Sequence, residues 1–207
     1  MVYSISRFLS LLIFKIVFRL EVHGQKNIPE KGGFILAGNH VSYLDPVAVG
    51  VACPRETDFM ARHDLFSKRF LSWWLPRVRA FPVKRDSPDA SALKEAIRRL
   101  RRGRGLVMFP EGSRRDGPDG TSAGPQPGIG FIAVKADVPV IPAFVKGTER
   151  ALPRGAKFIF PAKVSVYFGK QIHIEKGVSY QSVAKIVMDN IKIIDTKGEI
   201  KNDRNKI

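Results

Sequence analysis

The chain has 207 residues and 44% hydrophobic content, enough for one large domain and marginal for two. Its 35 Lys+Arg against 19 Asp+Glu leave a formal net charge of +16, which attracts polyanions (nucleic acid, anionic lipid, acidic carrier proteins, phosphorylated cofactors) without choosing among them. One cysteine, Cys53, excludes an internal disulfide framework and makes a reducing compartment the simpler setting, and the His and Cys residues show no metal-ligand spacing.

Residues 3–20 are mostly large and apolar, interrupted by Arg7, Lys15 and Arg19, which share one stripe if the segment is helical. The longest uncharged stretch, residues 8–14, is too short to span a bilayer. Lys15 stands where a signal peptide would place its small cleavage-site residues. The pattern predicts an interfacial amphipathic helix over residues 1–20, lying in the headgroup plane with its cations on anionic phosphates. Packing of the same helix on its own domain is the alternative.

Strands are predicted at 34–37, 58–61, 80–84, 106–109, 138–145 and 163–168, with helical segments between several of them. Asp45-Pro46 reads as a side-chain cap followed by a helix-opening proline, and Ser87-Pro88 opens a second helix in the same way. That second helix sets Leu93, Ile97 and Leu100 on one face and Arg98, Arg99, Arg101 and Arg102 around the other, a solvated face or a docking surface for an acidic partner or lipid. Residues 117–130 form a long Gly/Pro-rich loop, and 183–194 read as a terminal helix. Alternating strands and helices predict one α/β domain over 21–194, with a mixed, mostly parallel sheet flanked by helices, followed by a charged, frayed tail at 195–207.

The chemistry concentrates after the predicted strands, where ligands bind in α/β sheets. In Asn39-His40-Val41-Ser42-Tyr43-Leu44-Asp45, an imidazole precedes a carboxylate by five residues. A neutral imidazole takes a proton near pH 7, and a carboxylate on its other nitrogen fixes the tautomer and stabilises the cation formed during reaction. No obvious nucleophile stands nearby in sequence, so the base would have to activate a hydroxyl that arrives with the substrate. In Phe109-Pro110-Glu111-Gly112-Ser113-Arg114, Glu111 can accept from a hydroxyl, Pro110 and Gly112 shape a turn, and Arg114 can hold a phosphate or orient Glu111. Lys84 and Arg85 set two cations at the end of another strand, and arginine suits a phosphate monoester through its two-pronged donation. His23, His63 and His173 lack such a setting. Trp73-Trp74 beside Phe70 and Leu71 can border a membrane or an acyl pocket, or pack in the core.

Taken in order, these blocks resemble the glycerolipid acyltransferase family that includes 1-acylglycerol-3-phosphate acyltransferases. The N-H-x-x-x-x-D block matches Asn39, His40 and Asp45; a second block resembles residues 79–85; F-P-E-G-[ST]-R matches Phe109 to Arg114; and a proline-containing strand resembles residues 138–142. Arg79 stands where the second block usually begins with glycine, and Gln126-Pro127 precede Gly128 where the family often has a lysine.

The resemblance implies transfer of a fatty acyl group from acyl carrier protein or coenzyme A to the free hydroxyl of a lysophospholipid, 1-acyl-sn-glycerol-3-phosphate first among them, yielding phosphatidic acid. It implies His40 as general base with Asp45 orienting it, and Arg85 on the acceptor phosphate with Lys84 or Arg79 helping. Glu111 would meet the glycerol portion, Gly112 would let the backbone approach closely, Arg114 would complete the anion site, and Ser113 counts among the substrate-binding residues. No metal or cofactor is implied beyond the acyl donor as substrate. The implied place is peripheral, on the cytoplasmic face of an anionic membrane. Another lysolipid acceptor is the first alternative. A non-enzymatic basic membrane- or nucleic-acid-binding module is the second, although no zinc finger, helix-turn-helix or aromatic-interleaved basic groove is recognisable, and no nucleic-acid partner is expected.

Overall fold

The computed structural model describes residues 1–84, 89–111, 124–153, 155–175 and 177–204. Among them, seven strands form one sheet: β1 (Glu21–His23), β2 (Phe34–Gly38), β3 (Thr57–Arg62), β4 (Ala80–Val83), β5 (Gly105–Met108), β6 (Val140–Lys146) and β7 (Ser165–Phe168). The α-helices are α1 (Val2–Ile16), α2 (Asp45–Ala52), α3 (Arg69–Arg77), α4 (Ala90–Arg101), α5 (Gly128–Ala136), α6 (Thr148–Ala151) and α7 (Tyr180–Arg204). Each predicted strand is present to within two residues at either end. β1 was not predicted, because three residues at a sheet edge carry no apolar run. The terminal helix runs on past Ile194 to Arg204 as regular helical backbone, beyond the point where fraying was expected.

Strand order is β1-β7-β6-β2-β5-β3-β4, and every pair is parallel except β6 with β7. β2 is buried along its whole length, as a central parallel strand must be. One apolar layer joins α1, α2 and α6 to the sheet through Phe14, Phe18, Val49 and Ala151. The other joins α4, α5 and α7 through Leu100, Ile129, Ile132 and Val187. The chain leaves β2 through α2 on the first face and leaves β5 through α5 on the second. Neighbouring strands whose connections depart to opposite faces open a crevice at their C-terminal ends, the place where α/β sheets bind ligands.

α1 crosses the first face diagonally. Near its start, the Tyr3 hydroxyl accepts from the backbone N–H of Thr57, at the beginning of β3. Beyond its end, the Phe18 carbonyl accepts from Val164 N–H, next to Ser165, which pairs with Lys146 at the end of β6. The C-terminal end of α1 therefore reaches the same edge of the sheet as the crevice. Tyr3 and Phe14 face inward, whereas Ile5, Phe8, Leu9, Leu12, Ile13 and Ile16 are exposed. Arg7 does not join Lys15 and Arg19 at the surface, as the sequence pattern predicts: its guanidinium turns inward and donates to the Cys53 carbonyl at the end of α2 (2.6 Å), where a cation meets the negative end of the helix. No described helix is long and apolar enough to cross a membrane.

Candidate active site

β2 ends at Gly38, where an added Cβ would stand 3.3 Å from the Phe109 ring. The next residue, Asn39, pins the turn to β6. Its amide donates to the Val145 carbonyl (2.9 Å) and accepts from the Val145 N–H (2.7 Å), bridging the two strands where the backbone ladder ends. His40 and Asp45 follow, 6% and 0% exposed.

Asp45 does not cap α2 as predicted. It lies inside the first turn, Leu44 takes the N-cap position, and the carboxylate reaches back into the preceding loop. One oxygen, Oδ2, accepts from His40 Nδ1 (2.9 Å), Val41 N–H (2.7 Å) and Ser42 N–H (2.7 Å). The other, Oδ1, accepts from the Thr148 hydroxyl (2.5 Å), which stands just beyond the end of β6. An ionised carboxylate only accepts, so His40 donates from Nδ1, the tautomer that in the neutral ring leaves the electron pair on Nε2. The Phe109 ring lies against the imidazole, centroids 4.2 Å apart and planes 21° apart, so it holds the ring from one side.

Glu111 follows at the end of β5 and is 1% exposed. Gln126 N–H donates to the Pro110 carbonyl (2.8 Å), which brings the start of α5 against this turn. A cavity of about 340 Å³ adjoins the His40 loop, walled by Val41, Ser42, Tyr43, Leu152, Pro153, Gly155 and Ala156. The Ser42 hydroxyl ties its two sides together by donating to the Leu152 carbonyl (3.2 Å).

The crevice therefore gathers His40, Asp45 and Glu111, from the ends of β2 and β5. Lys84 lies on the same edge just past β4, two strands from β5 and three from β2, roughly 10–14 Å at the usual strand spacing. Its backbone N–H donates to Asp89 (2.9 Å). Arg85, Gly112, Ser113 and Arg114 lie outside the described residues. Arg79 is no phosphate helper: it precedes β4, at the opposite edge, where it pairs with Glu56 and stacks over Tyr3. Its φ of 67° is the left-handed conformation glycine favours, here adopted by an arginine. His23 stacks on Tyr167, and Asp64 is engaged by Arg62, not by His63. Cys53 is buried, and burial pushes its thiol up.

Sequence reasoning missed Thr148 and Phe109. A hydroxyl residue directly after the neighbouring central strand is the available signal for Thr148. Phe109 was read only as the first residue of its block.

An Acyltransferase family model matches residues 19–146. The chain is 28% identical over 156 residues to a 1-acyl-sn-glycerol-3-phosphate acyltransferase of Bacillus subtilis (strain 168), covering 74% of each chain. It is 34% identical over 168 residues to the protein of that name from Streptococcus pneumoniae (strain ATCC BAA-255 / R6), covering 79% of this chain and 60% of that one. Among solved structures it resembles the 1-acyl-sn-glycerophosphate (LPA) acyltransferase PlsC from Thermotoga maritima, with a TM-score of 0.72 and 25% identity, covering 94% of this chain and 82% of the other.

Proposed function

Since this chain belongs to the Acyltransferase family, we propose that it moves a fatty acyl group from a thioester to the free hydroxyl of 1-acyl-sn-glycerol-3-phosphate, giving phosphatidic acid. The names of the two curated relatives support the acceptor. The observation that carries the chemistry is the clamp on Asp45, which holds the His40 imidazole through Nδ1 and so directs Nε2 to serve as the base.

His40 Nε2 takes the proton of the acceptor hydroxyl as that oxygen attacks the thioester carbonyl. Asp45 stabilises the imidazolium formed beside it. The tetrahedral intermediate collapses, the carbon–sulfur bond breaks, and the thiolate recovers the proton from His40. The ester and a free thiol are the products, with no acyl-enzyme between. Thiolate is a good leaving group, so the demand falls on alignment and deprotonation. Glu111 accepts from the glycerol portion, and Gly112 lets the backbone approach closely. Arg85, Ser113 and Arg114 hold the phosphate. The step uses no metal or cofactor, and the acyl donor, acyl carrier protein or coenzyme A thioester, is a substrate.

The outward apolar face of α1 supports a peripheral position on an anionic membrane, which we place at the cytoplasmic face. A panel of lysolipids with each donor, read by mass spectrometry, tests the assignment. Phosphatidic acid as the dominant product supports it. Preference for an acceptor without a phosphate monoester overturns the head-group reading.

A further inference from the structure

The crevice edge carries an apolar surface that neither the core nor the acyl-transfer step uses. Phe158, Ile159 and Phe160 stand in succession in the loop between α6 and β7, 75%, 56% and 50% exposed. Exposed apolar side chains standing singly are ordinary, but three large ones in succession make a patch of the kind that marks an interaction surface. The loop is held in place at both ends. Phe160 N–H donates to the Ala151 carbonyl (2.8 Å), and Val164 N–H donates to Phe18 beyond α1 (2.8 Å).

Its position links two features already described. The loop begins at Leu152 and Pro153, which wall the cavity beside the His40 loop, and Tyr43 on the opposite wall is 66% exposed. It ends beside the last turn of α1, where Ile13 and Ile16 are 51% and 69% exposed. Exposed apolar side chains thus stand on the end of α1, on the loop tied to it and at the cavity wall.

We propose that the Phe158-Ile159-Phe160 loop is a second membrane-inserting element, which seats the crevice edge on an anionic bilayer so that the acceptor lipid reaches His40 without leaving the membrane. The inference rests on the reading of the acceptor as a membrane lipid. Charge selects the bilayer over a second copy of this chain. Lys15, Arg19 and Lys157, neighbours in sequence of the apolar side chains, are exposed, while Arg150 pairs with Glu149. Two such surfaces would repel each other in a self-pair, whereas anionic headgroups neutralise them.

The test is sedimentation of the full chain with vesicles of phosphatidylglycerol and phosphatidylcholine. The double variant Phe158→Ser/Phe160→Ser should lose about tenfold or more in vesicle partition, while transfer to a monomeric short-chain lysolipid stays at the wild-type rate. A second variant, Phe158→Cys carrying a polarity-sensitive fluorophore, should shift its emission to the blue when vesicles are added; Cys53 is buried, so the label goes to the new thiol. Unchanged partition of the serine variant, or unchanged emission of the labelled one, overturns the proposal. So does a loss of self-association with partition intact, which would assign the surface to a second copy. If wild type transfers no acyl group to any acceptor, the enzymatic reading fails while the partition and emission data still decide the membrane contact.

Discussion

Asp45 shows how much of the site depends on one buried carboxylate. Its four donors come from His40, the Val41 and Ser42 backbone, and Thr148 on a different strand end. The pairing of His40 with Asp45 was legible in the sequence because both lie in one short loop. The Thr148 contact was not, because it closes across a sequence separation of 103 residues and depends on β6 lying beside β2. Thr148→Val removes the donor to Oδ1 and keeps the side-chain shape. It should cost about 1–3 kcal/mol of stability and lower kcat with little change in KM, because the imidazole loses a fixed partner but the acceptor contacts remain. Thr148→Ser should restore both. Urea denaturation with steady-state kinetics checks this, and an unchanged kcat in the valine variant would leave Thr148 as a purely structural contact.

At the scale of elements, α4 shows where local signals pointed and where they stopped. Of the face predicted from its pattern, Leu100 is buried and Leu93 and Ile97 only partly so, while Ala92 and Ala96 complete the buried side. The expected start at Ser87-Pro88 falls outside the described residues, and the cap is Asp89, which accepts from Ala92 N–H (3.0 Å) and also from Lys84 N–H (2.9 Å). It therefore ties the end of β4 to the start of α4, and with Ser91 these donors hold its carboxyl well below the usual range. The arginine face is also not uniformly solvated. Arg99 is 19% exposed on its side chain and reaches fully buried Asp58, a partner on β3 that no helical periodicity could reveal. Glu95 is lowered from 4.5 to about 2, chiefly by Arg98, with Arg99 assisting against the cost of burial. A depressed carboxyl stabilises the fold above its ordinary value and loses that contribution as pH falls through its folded value. Wild type should therefore melt above Glu95→Gln at neutral pH, and the gap should narrow from pH 4.5 toward about 2. Thermal melts across that range check it, and a constant gap would remove the ion pairs as its cause.

For the whole molecule, the sheet order places the crevice, the end of α1 and the Phe158 loop along one edge, with α4, α5 and α7 on the face away from α1. The α/β class followed from alternating strands and helices, because central strands show themselves as uninterrupted apolar runs. The inward turn of Arg7 could not be read that way. A charge on a helical stripe points to solvent unless another helix end needs it, and α2 is placed there only by tertiary packing. The same packing turns the apolar arc of α1 outward. The measurement that bears most directly on the account is single-turnover acyl transfer to 1-acyl-sn-glycerol-3-phosphate by wild type and His40→Ala, with circular dichroism confirming the fold of each. The account predicts a loss of about 10²-fold to 10⁴-fold in rate for the variant. A well-folded variant that transfers the acyl group at the wild-type rate would contradict it.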